Sequence, residues 1–215
     1  FLDADDFLTP DCLEKKFRVL EAKREVGWVY SDIYLTDETG RVTGLCSQRF
    51  RYERRKLTGW IHDELLLGNF IPIHAPLIRR ACIDRIGGFD EAFRMFQEDY
   101  NMLFRLSSAF PVDYINEPLG YYRQVSGSRA RNPLPVLLGT LQFIEAVERE
   151  FPSVVQARCG EWAMRKSDVW IQMALKVSGD ASVWKRWLWI CRAIKIRPLQ
   201  GAAYRVLLKV LVGRS

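Results

Sequence analysis

The chain has 215 residues, of which 48% are hydrophobic, 13% aromatic and 27% charged, and its net charge is +6. These fractions are ordinary for a soluble globular protein and exclude the disordered, collagen-like and disulfide-scaffold classes. The longest stretch without a charged residue, 65–78, has only 14 residues and contains two prolines. No membrane-spanning helix is therefore predicted, since one needs roughly 20 apolar residues.

The cysteines and histidines limit the possible sites. Five cysteines occur singly, without a CxxC pair, and there are only two histidines. An odd number of scattered cysteines does not suit a disulfide framework, and it predicts reduced, mostly buried thiols in a cytosolic protein. The shortage of histidine argues against a histidine-rich zinc site.

The first part of the chain has the patterns of alternating strands and helices. In chain order they predict a strand end at 1–2, an acidic loop at 3–6, a helix capped by Thr9, and strands at 28–35 and 42–46. The predicted apolar face of that helix consists of Leu13, Phe17 and Leu20. They continue with a basic loop at 49–56, a helix at 61–67, an edge strand at 71–78, helices at 80–86 and 97–109, and strands at 112–115 and 119–125.

The clearest boundary is the Asn-Pro-Leu-Pro sequence at 132–135. Beyond it, the patterns predict helices at 136–150, 153–177, 182–196 and 200–212. We therefore expect an α/β domain over residues 1–131 and a helical C-terminal region over residues 132–215.

Two groups of carboxylates are candidates for chemistry. Asp3 and Asp5, with Asp6 beside them, follow an apolar pair, and acids spaced in this way can hold a hard divalent cation through oxygen. Glu98 and Asp99 begin a predicted helix, where an ionised carboxylate is favoured and can accept a proton. Taken singly, each group is more typical of a solvated acidic turn than of a functional site.

In order and spacing together, these segments make the chain resemble the family 2 glycosyltransferases of the GT-A fold. The segments that carry the resemblance are residues 1–10, 26–32, 37–40, 68–72, 77–80, 86–91, 97–99 with Leu103, Arg105 and Leu106, 119–123, and 127–128. They cover roughly residues 1–131 in the family's order.

The resemblance implies a role for each candidate residue. Asp5 and Asp3 match the family's DxD motif, which holds Mn²⁺ or Mg²⁺ on the diphosphate of a nucleotide-sugar donor. Asp99 would be the general base that deprotonates an acceptor hydroxyl in one inverting displacement, and Glu98 would orient that hydroxyl or the donor sugar. Arg123 would contact the donor's diphosphate.

The chain also departs from the family pattern. Asn101 replaces a frequent acid two residues after the base, and Val125 replaces a frequent histidine two residues after Arg123. The family's N-terminal half, with its nucleotide-base pocket, has no counterpart in these residues. We therefore expect a partial GT-A domain that binds a sugar nucleotide poorly on its own.

The C-terminal residues carry most of the net charge. Residues 181–215 contain eight basic side chains and no acidic one, together with Trp184, Trp187 and Trp189. Two alternatives are open: peripheral contact with an anionic membrane at its inner face, or a helical cap with buried tryptophans and solvated cations. The first would suit a saccharide or lipid-linked acceptor in envelope polysaccharide or glycolipid synthesis. Nucleic acid is not an expected partner, because no recognisable binding module accompanies the charge.

Two rival functions share the same residues. In a phosphohydrolase of the haloacid dehalogenase type, Asp3 would be the nucleophile and Asp5 the general acid, but Asp6-Phe7 replaces that pattern's usual Gly-Thr. The other rival is a transferase-derived module that only binds a partner. Substitution of Asp5 and Asp99 separates the three possibilities.

Overall fold

The computed structural model describes residues 1–93, 96–125, 127, 132–177 and 182–211, except for the side chains of residues 209–211. Within these residues the chain is a mixed α/β protein with one five-stranded sheet and ten α-helices. It divides into two compact units: Phe1–Glu91 with Glu98–Ser128, here called the sheet unit, and Ala92–Gln97 with Arg129–Ser215, here called the helical unit. None of the described helices is both long and apolar enough to cross a bilayer.

The sheet unit alternates strands and helices. Its elements are β1 (Phe7–Leu8), α1 (Cys12–Ala22), β2 (Trp28–Thr36), β3 (Val42–Leu45), α2 (Cys46–Phe50), a 3₁₀ turn (Tyr52–Arg54), α3 (His62–Leu67), β4 (Pro76–Ile78), α4 (Arg80–Ile86), α5 (Glu98–Ala109) and β5 (Val112–Arg123). The helical unit contains α6 (Pro133–Glu150), α7 (Pro152–Ala157), α8 (Cys159–Lys176), α9 (Val183–Ile196) and α10 (Gly201–Leu211).

Strand β2 is central in the sheet. It pairs in parallel with β5 on one side and antiparallel with β3 and β4 on the other. Trp28, Val29 and Tyr30 are all fully buried, as expected of a strand that is covered on both faces. Strand β5 also pairs antiparallel with β1, so that the sheet order is β1-β5-β2-β3.

The predicted start of the chain is wrong. Phe1 and Leu2 are exposed and do not belong to a strand; the first strand is the two-residue β1. The Thr9 backbone N–H donates to Leu119 O at 3.1 Å, so the chain is still tied to β5 at that point. Helix α1 therefore begins only at Cys12, and the Thr9 hydroxyl donates to Asp11 rather than capping the helix.

The predicted apolar face of α1 is confirmed for Leu20 and wrong for Leu13 and Phe17. Leu13 and Phe17 are exposed, whereas Cys12, Lys16 and Leu20 are buried. A lysine belongs to the buried face because its Nζ donates to Ala75 O at 2.6 Å. The ammonium group thus satisfies a carbonyl of the segment that precedes β4, and burial lowers the pKa of Lys16.

Two further predictions need correction. Only Pro76–Ile78 of the segment 71–78 is a strand, because Ala75 N–H donates to Pro72 O in a turn. The predicted basic loop at 49–56 begins inside α2 and continues through the 3₁₀ turn. Buried Asp32 starts α2 by accepting bonds from the backbone N–H and hydroxyl of Ser47.

The remaining differences are smaller. The strands predicted at 112–115 and 119–125 form one strand, β5, with register shifts opposite Asp32. The helix predicted at 153–177 is divided at Arg158 into α7 and α8. The predicted domain boundary at 131 and the end of the last helix at 212 lie outside the described residues.

The helical unit has its own core. A cluster formed by α8, α9 and α10 is made of small and branched side chains: Ile171, Ala174, Ile190, Ala193, Ala203 and Val206. Buried Ser167 donates to Ala193 O at 3.1 Å and so ties α8 to α9 at the small residues of the cluster. Phe143 of α6 is fully buried, with the Arg165 guanidinium 5.2 Å from its ring centroid.

Candidate functional site

A cavity of about 200 Å³ in the sheet unit brings together residues from distant parts of the sequence. Its lining consists of Asp3, Phe50, Asn69, Phe70, Ile71, Pro72, Ile73, His74, Asp99 and Tyr122. Two of the candidate carboxylates, Asp3 and Asp99, therefore face one space although they are far apart in the chain. Asp5, Glu98 and Arg123 do not belong to this lining.

Asp3 and Asp5 lie in the loop before β1, and both are exposed to solvent. Partial burial raises the pKa of Asp3, and the negative charges of Asp6, Asp5 and Glu98 raise it further, while His74 lowers it. Negative charge thus accumulates at this end of the cavity. The loop itself is held by a bond from Asp6 N–H to Asp3 O, 3.2 Å long.

Asp6, the third acid of the loop, is buried and carries the loop's main contacts. Its Oδ2 lies 3.0 Å from Nδ1 of His74, and both side chains are almost fully buried. Its Oδ1 accepts a bond from the backbone N–H of Arg123 at 2.9 Å. Asp6 therefore links the acidic loop to the end of β5 and to the turn before β4.

Asp99 and Glu98 are the first residues of α5. Asp99 is half-buried, and its Oδ1 accepts a bond from Tyr100 N–H at 2.6 Å. Burial raises the pKa of Asp99 to about 6, with smaller contributions in the same direction from the charges of Glu98 and Asp3. A carboxylate with this pKa is ionised at neutral pH and is a stronger base than an ordinary aspartate. Glu98 is exposed beside it.

Arg123 is placed mainly by its backbone. Its guanidinium carbon lies 5.9 Å from the ring centroid of Phe7, and its Nε is buried without a hydrogen-bond partner among the described residues. The side chain of Arg123 therefore lies at the β1–β5 end of the sheet unit, where the backbone of the same residue supports Asp6.

A closed metal site is not found in the described part of the chain. No group of three or more His, Cys, Asp or Glu residues there is arranged to hold an ion. Burial and, after it, the charges of neighbouring acids raise the pKa of Asp3, and a divalent cation would neutralise those charges. One or two carboxylates are enough for Mg²⁺ when substrate phosphate and water complete its shell.

His74 is buried, since only 2% of the residue is exposed. Sequence reasoning missed its partner, Asp6, and the position of the ring at the cavity. A histidine inside the longest uncharged stretch of the chain signals burial with an acidic partner. Nothing in the sequence indicates which of the 26 acids that partner is.

Comparison with known proteins gives two findings. A family model described as glycosyltransferase like family 2 matches residues 1–150. An uncharacterized glycosyltransferase of Methanocaldococcus jannaschii is 27% identical over 123 residues, which are 57% of this chain and 40% of that protein. The chain thus matches less than half the length of this curated relative.

Proposed function

From the premise that the chain belongs to glycosyltransferase-like family 2, we propose that it transfers a sugar from a nucleotide-sugar donor to an acceptor hydroxyl. The observation that carries the proposal is the cavity shared by Asp3 and Asp99. Asp3 lies in a cluster of negative charge that suits a cation, and Asp99 has the raised pKa that suits a base. An inverting transfer needs a cation at the leaving diphosphate of the donor and a base at the hydroxyl of the acceptor.

In this proposal, Asp99 takes the proton of the acceptor hydroxyl. The acceptor oxygen then bonds to the anomeric carbon while the bond from that carbon to the diphosphate oxygen breaks, and the nucleoside diphosphate leaves. Glu98, exposed beside Asp99, orients the hydroxyl or the donor sugar. One displacement of this kind inverts the anomeric configuration and needs no covalent intermediate on the protein.

Asp5 and Asp3 are proposed to hold Mn²⁺ or Mg²⁺, which would neutralise the charge that develops on the leaving diphosphate. Arg123 is proposed to contact the same diphosphate. This role is supported by its guanidinium, which forms no ion pair with any carboxylate of the described residues. The acceptor is proposed to be a saccharide or a lipid-linked sugar of the cell envelope.

The proposal is tested with the protein as the cell makes it, including any sequence that flanks these 215 residues. Release of nucleoside diphosphate is measured with a panel of UDP-, GDP- and dTDP-sugars, for the unaltered protein and for Asp5→Asn and Asp99→Asn. A transferase loses activity with both substitutions, by roughly a hundredfold or more for the general base. Asp84→Asn, which alters an exposed acid of α4, is the matched control.

The rival functions give different results. A phosphohydrolase of the haloacid dehalogenase type releases phosphate and depends mainly on Asp5, whereas a binding module is indifferent to both substitutions. A parallel assay of residues 1–215 alone tests the expectation that this segment turns over poorly by itself. Turnover equal to that of the protein made in the cell would contradict that expectation.

Membrane contact through α9 is a second part of the proposal. Trp184 is 79% exposed and Trp187 is 42% exposed, with Leu188 beside them, whereas Trp189 packs on the core cluster. The alternative in which all three tryptophans are buried is therefore wrong for Trp184. The sequence 181–215 contains eight basic residues and no acidic one, and exposed tryptophans on a segment of this composition suit an anionic, cytoplasmic-side lipid surface.

Flotation with vesicles tests this contact. We expect binding to vesicles of phosphatidylcholine with phosphatidylserine, weaker binding to pure phosphatidylcholine, and loss of binding in a Trp184→Ser, Trp187→Ser double variant. Trp60→Ser is the control, because Trp60 is a similarly exposed tryptophan in the sheet unit. Absence of binding to the anionic vesicles would overturn the proposal.

A further inference from the structure

The imidazole of His74 has one nitrogen that is used and one that is not. Nδ1 lies 3.0 Å from Asp6 Oδ2, and both groups are almost completely shielded from solvent. Nε2 is buried too, and it has no hydrogen-bond partner among the described residues. Buried polar atoms are nearly always paired, so an unpaired one next to a cavity indicates a ligand or a water molecule.

The ring is held firmly in this orientation. Asp6 is itself fixed by the backbone N–H of Arg123, and Tyr122 packs against the ring with 5.5 Å between centroids. The next residue, Ala75, has its carbonyl bound by the buried ammonium group of Lys16. Asp6 Oδ2 has no hydrogen bond to the described residues that meets strict angular criteria, so the link to the ring is a close ion-pair contact. Rotation of the ring to give Nε2 another partner would break this 3.0 Å contact.

The same ring belongs to the lining of the cavity that contains Asp3 and Asp99. On the basis of the function proposed above, we propose that Nε2 of His74 exchanges a hydrogen bond with a hydroxyl group of the sugar substrate, and that Asp6 is the positioning residue that turns Nε2 toward it. His74 would then be a substrate-contacting residue of the site, and the Asp6–His74 pair would be its fixed support.

The chemistry of the cavity selects a hydroxyl over a phosphate. Asp3 and Asp99 both line this space, so two carboxylates already face it and would repel a further anion. A sugar hydroxyl is neutral. It can donate to a bare Nε2 or accept from a protonated one, so the assignment holds for either protonation state of the ring.

The chain has only two histidines, which makes a direct measurement possible. In protein labelled with ¹⁵N-histidine, the signals that are lost in a His74→Gln variant and kept in a His62→Gln variant are those of the His74 imidazole. At a pH where the ring is neutral, we expect the proton on Nδ1, and we expect the Asp6→Asn variant to increase the population with the proton on Nε2. This part tests the pairing without any substrate and does not depend on the proposed enzymatic function. A neutral ring with its proton on Nε2 in the unaltered Asp6 background would overturn it.

The second part adds ligands with Mg²⁺ present: the sugar nucleotides of the panel, simple methyl glycosides, and UDP alone. We expect the Nε2 resonance to shift with at least one sugar-bearing probe and to stay unchanged with UDP. A shift with methyl glycosides assigns the hydroxyl to the acceptor, and a shift with sugar nucleotides assigns it to the donor. An equal shift with UDP alone, or no shift with any sugar-bearing probe, would overturn the inference.

Kinetics separate this inference from the proposed function. His74→Phe keeps a planar ring but removes Nε2, and we expect it to raise KM about five- to tenfold, which corresponds to the loss of one hydrogen bond. His74→Gln, which keeps a polar terminus, should recover part of that loss, and His62→Phe should have the KM of the unaltered protein. If the unaltered protein turns over and His74→Phe has an unchanged KM, the inference fails while the transferase function stands. If no donor is turned over, it is the proposed function that fails.

Discussion

The carboxyl group of Asp99 should weaken the fold at neutral pH. Burial and the charges of Glu98 and Asp3 raise its pKa to about 6, well above the ordinary value of 3.8. A carboxyl whose pKa is higher in the folded than in the unfolded chain reduces stability when it is ionised. This loss of folding stability is fully present above pH 6, decreases as the pH falls toward 4, and is absent below pH 4.

Replacement of Asp99 by asparagine removes the charge and keeps an oxygen that can accept the bond from Tyr100 N–H. A shift of one pKa unit corresponds to about 1.4 kcal/mol. With allowance for the partly solvated position of Asp99, we expect Asp99→Asn to increase the free energy of unfolding at pH 7 by about 1–3 kcal/mol. The same variant should lose the transferase activity. A substitution that stabilises the fold while abolishing function is the behaviour expected of an active-site group.

Urea denaturation followed by circular dichroism measures the difference, with the variant and the unaltered protein compared at each pH from 4 to 8. The comparison at each pH cancels the contribution of titrating groups that do not interact with Asp99. Asp84→Asn should change the free energy of unfolding by no more than about 0.5 kcal/mol throughout. A gain for Asp99→Asn that is absent at pH 7, or that is equal at pH 4 and pH 7, would refute the reasoning.

Three other results are expected. If Asp99 is the base, kcat/KM should fall about tenfold per pH unit below pH 6. Glu98→Gln should move this acidic limb of the pH profile to lower pH, because it removes a charge that raises the pKa of Asp99. An acidic limb that stays in place in this variant would contradict the role of Asp99 as the base. Gly27→Ala should destabilise the protein by more than about 2 kcal/mol in urea denaturation, since its Cβ would lie 2.6 Å from a phenylalanine side chain. Gly44→Ala, whose nearest contact would be 3.6 Å away, should have little effect. In thiol titration of the native protein, exposed Cys159 should react first and the three buried cysteines only on unfolding.

Much of the sheet unit could be predicted because its strands have strong local patterns. The run from Trp28 to Thr36 is rich in β-branched and aromatic residues, and Gly87, with a φ of 77°, ends α4 where the sequence predicts. The predictions failed where tertiary contacts decide. Lys16 lies on the buried face of α1 because its ammonium group donates a hydrogen bond to the carbonyl of Ala75, 59 positions later in the chain. No periodicity within a helix contains that information.

The same limit applies to the site. Asp3, Asp5, Glu98 and Asp99 could be proposed from their motifs, and the structure brings Asp3 and Asp99 into one cavity. The pair of Asp6 and His74 could not be proposed. Three strands, three α-helices and the 3₁₀ turn separate the two residues in the chain, and their contact depends on the turn that replaces the first half of the predicted strand 71–78.

The register of strand β5 determines where the acidic loop of the site is held. The N–H of Arg123 meets Asp6 only in the register in which Tyr121 faces Phe7 on one side of β5 and Tyr34 on the other. A side chain can be exchanged along this strand with local effects, but one inserted or deleted residue would reverse the faces of everything beyond it and remove the support of the acidic loop. The length of β5 should therefore be less tolerant of change during evolution than its composition, whereas the hairpin between β2 and β3 can lengthen freely.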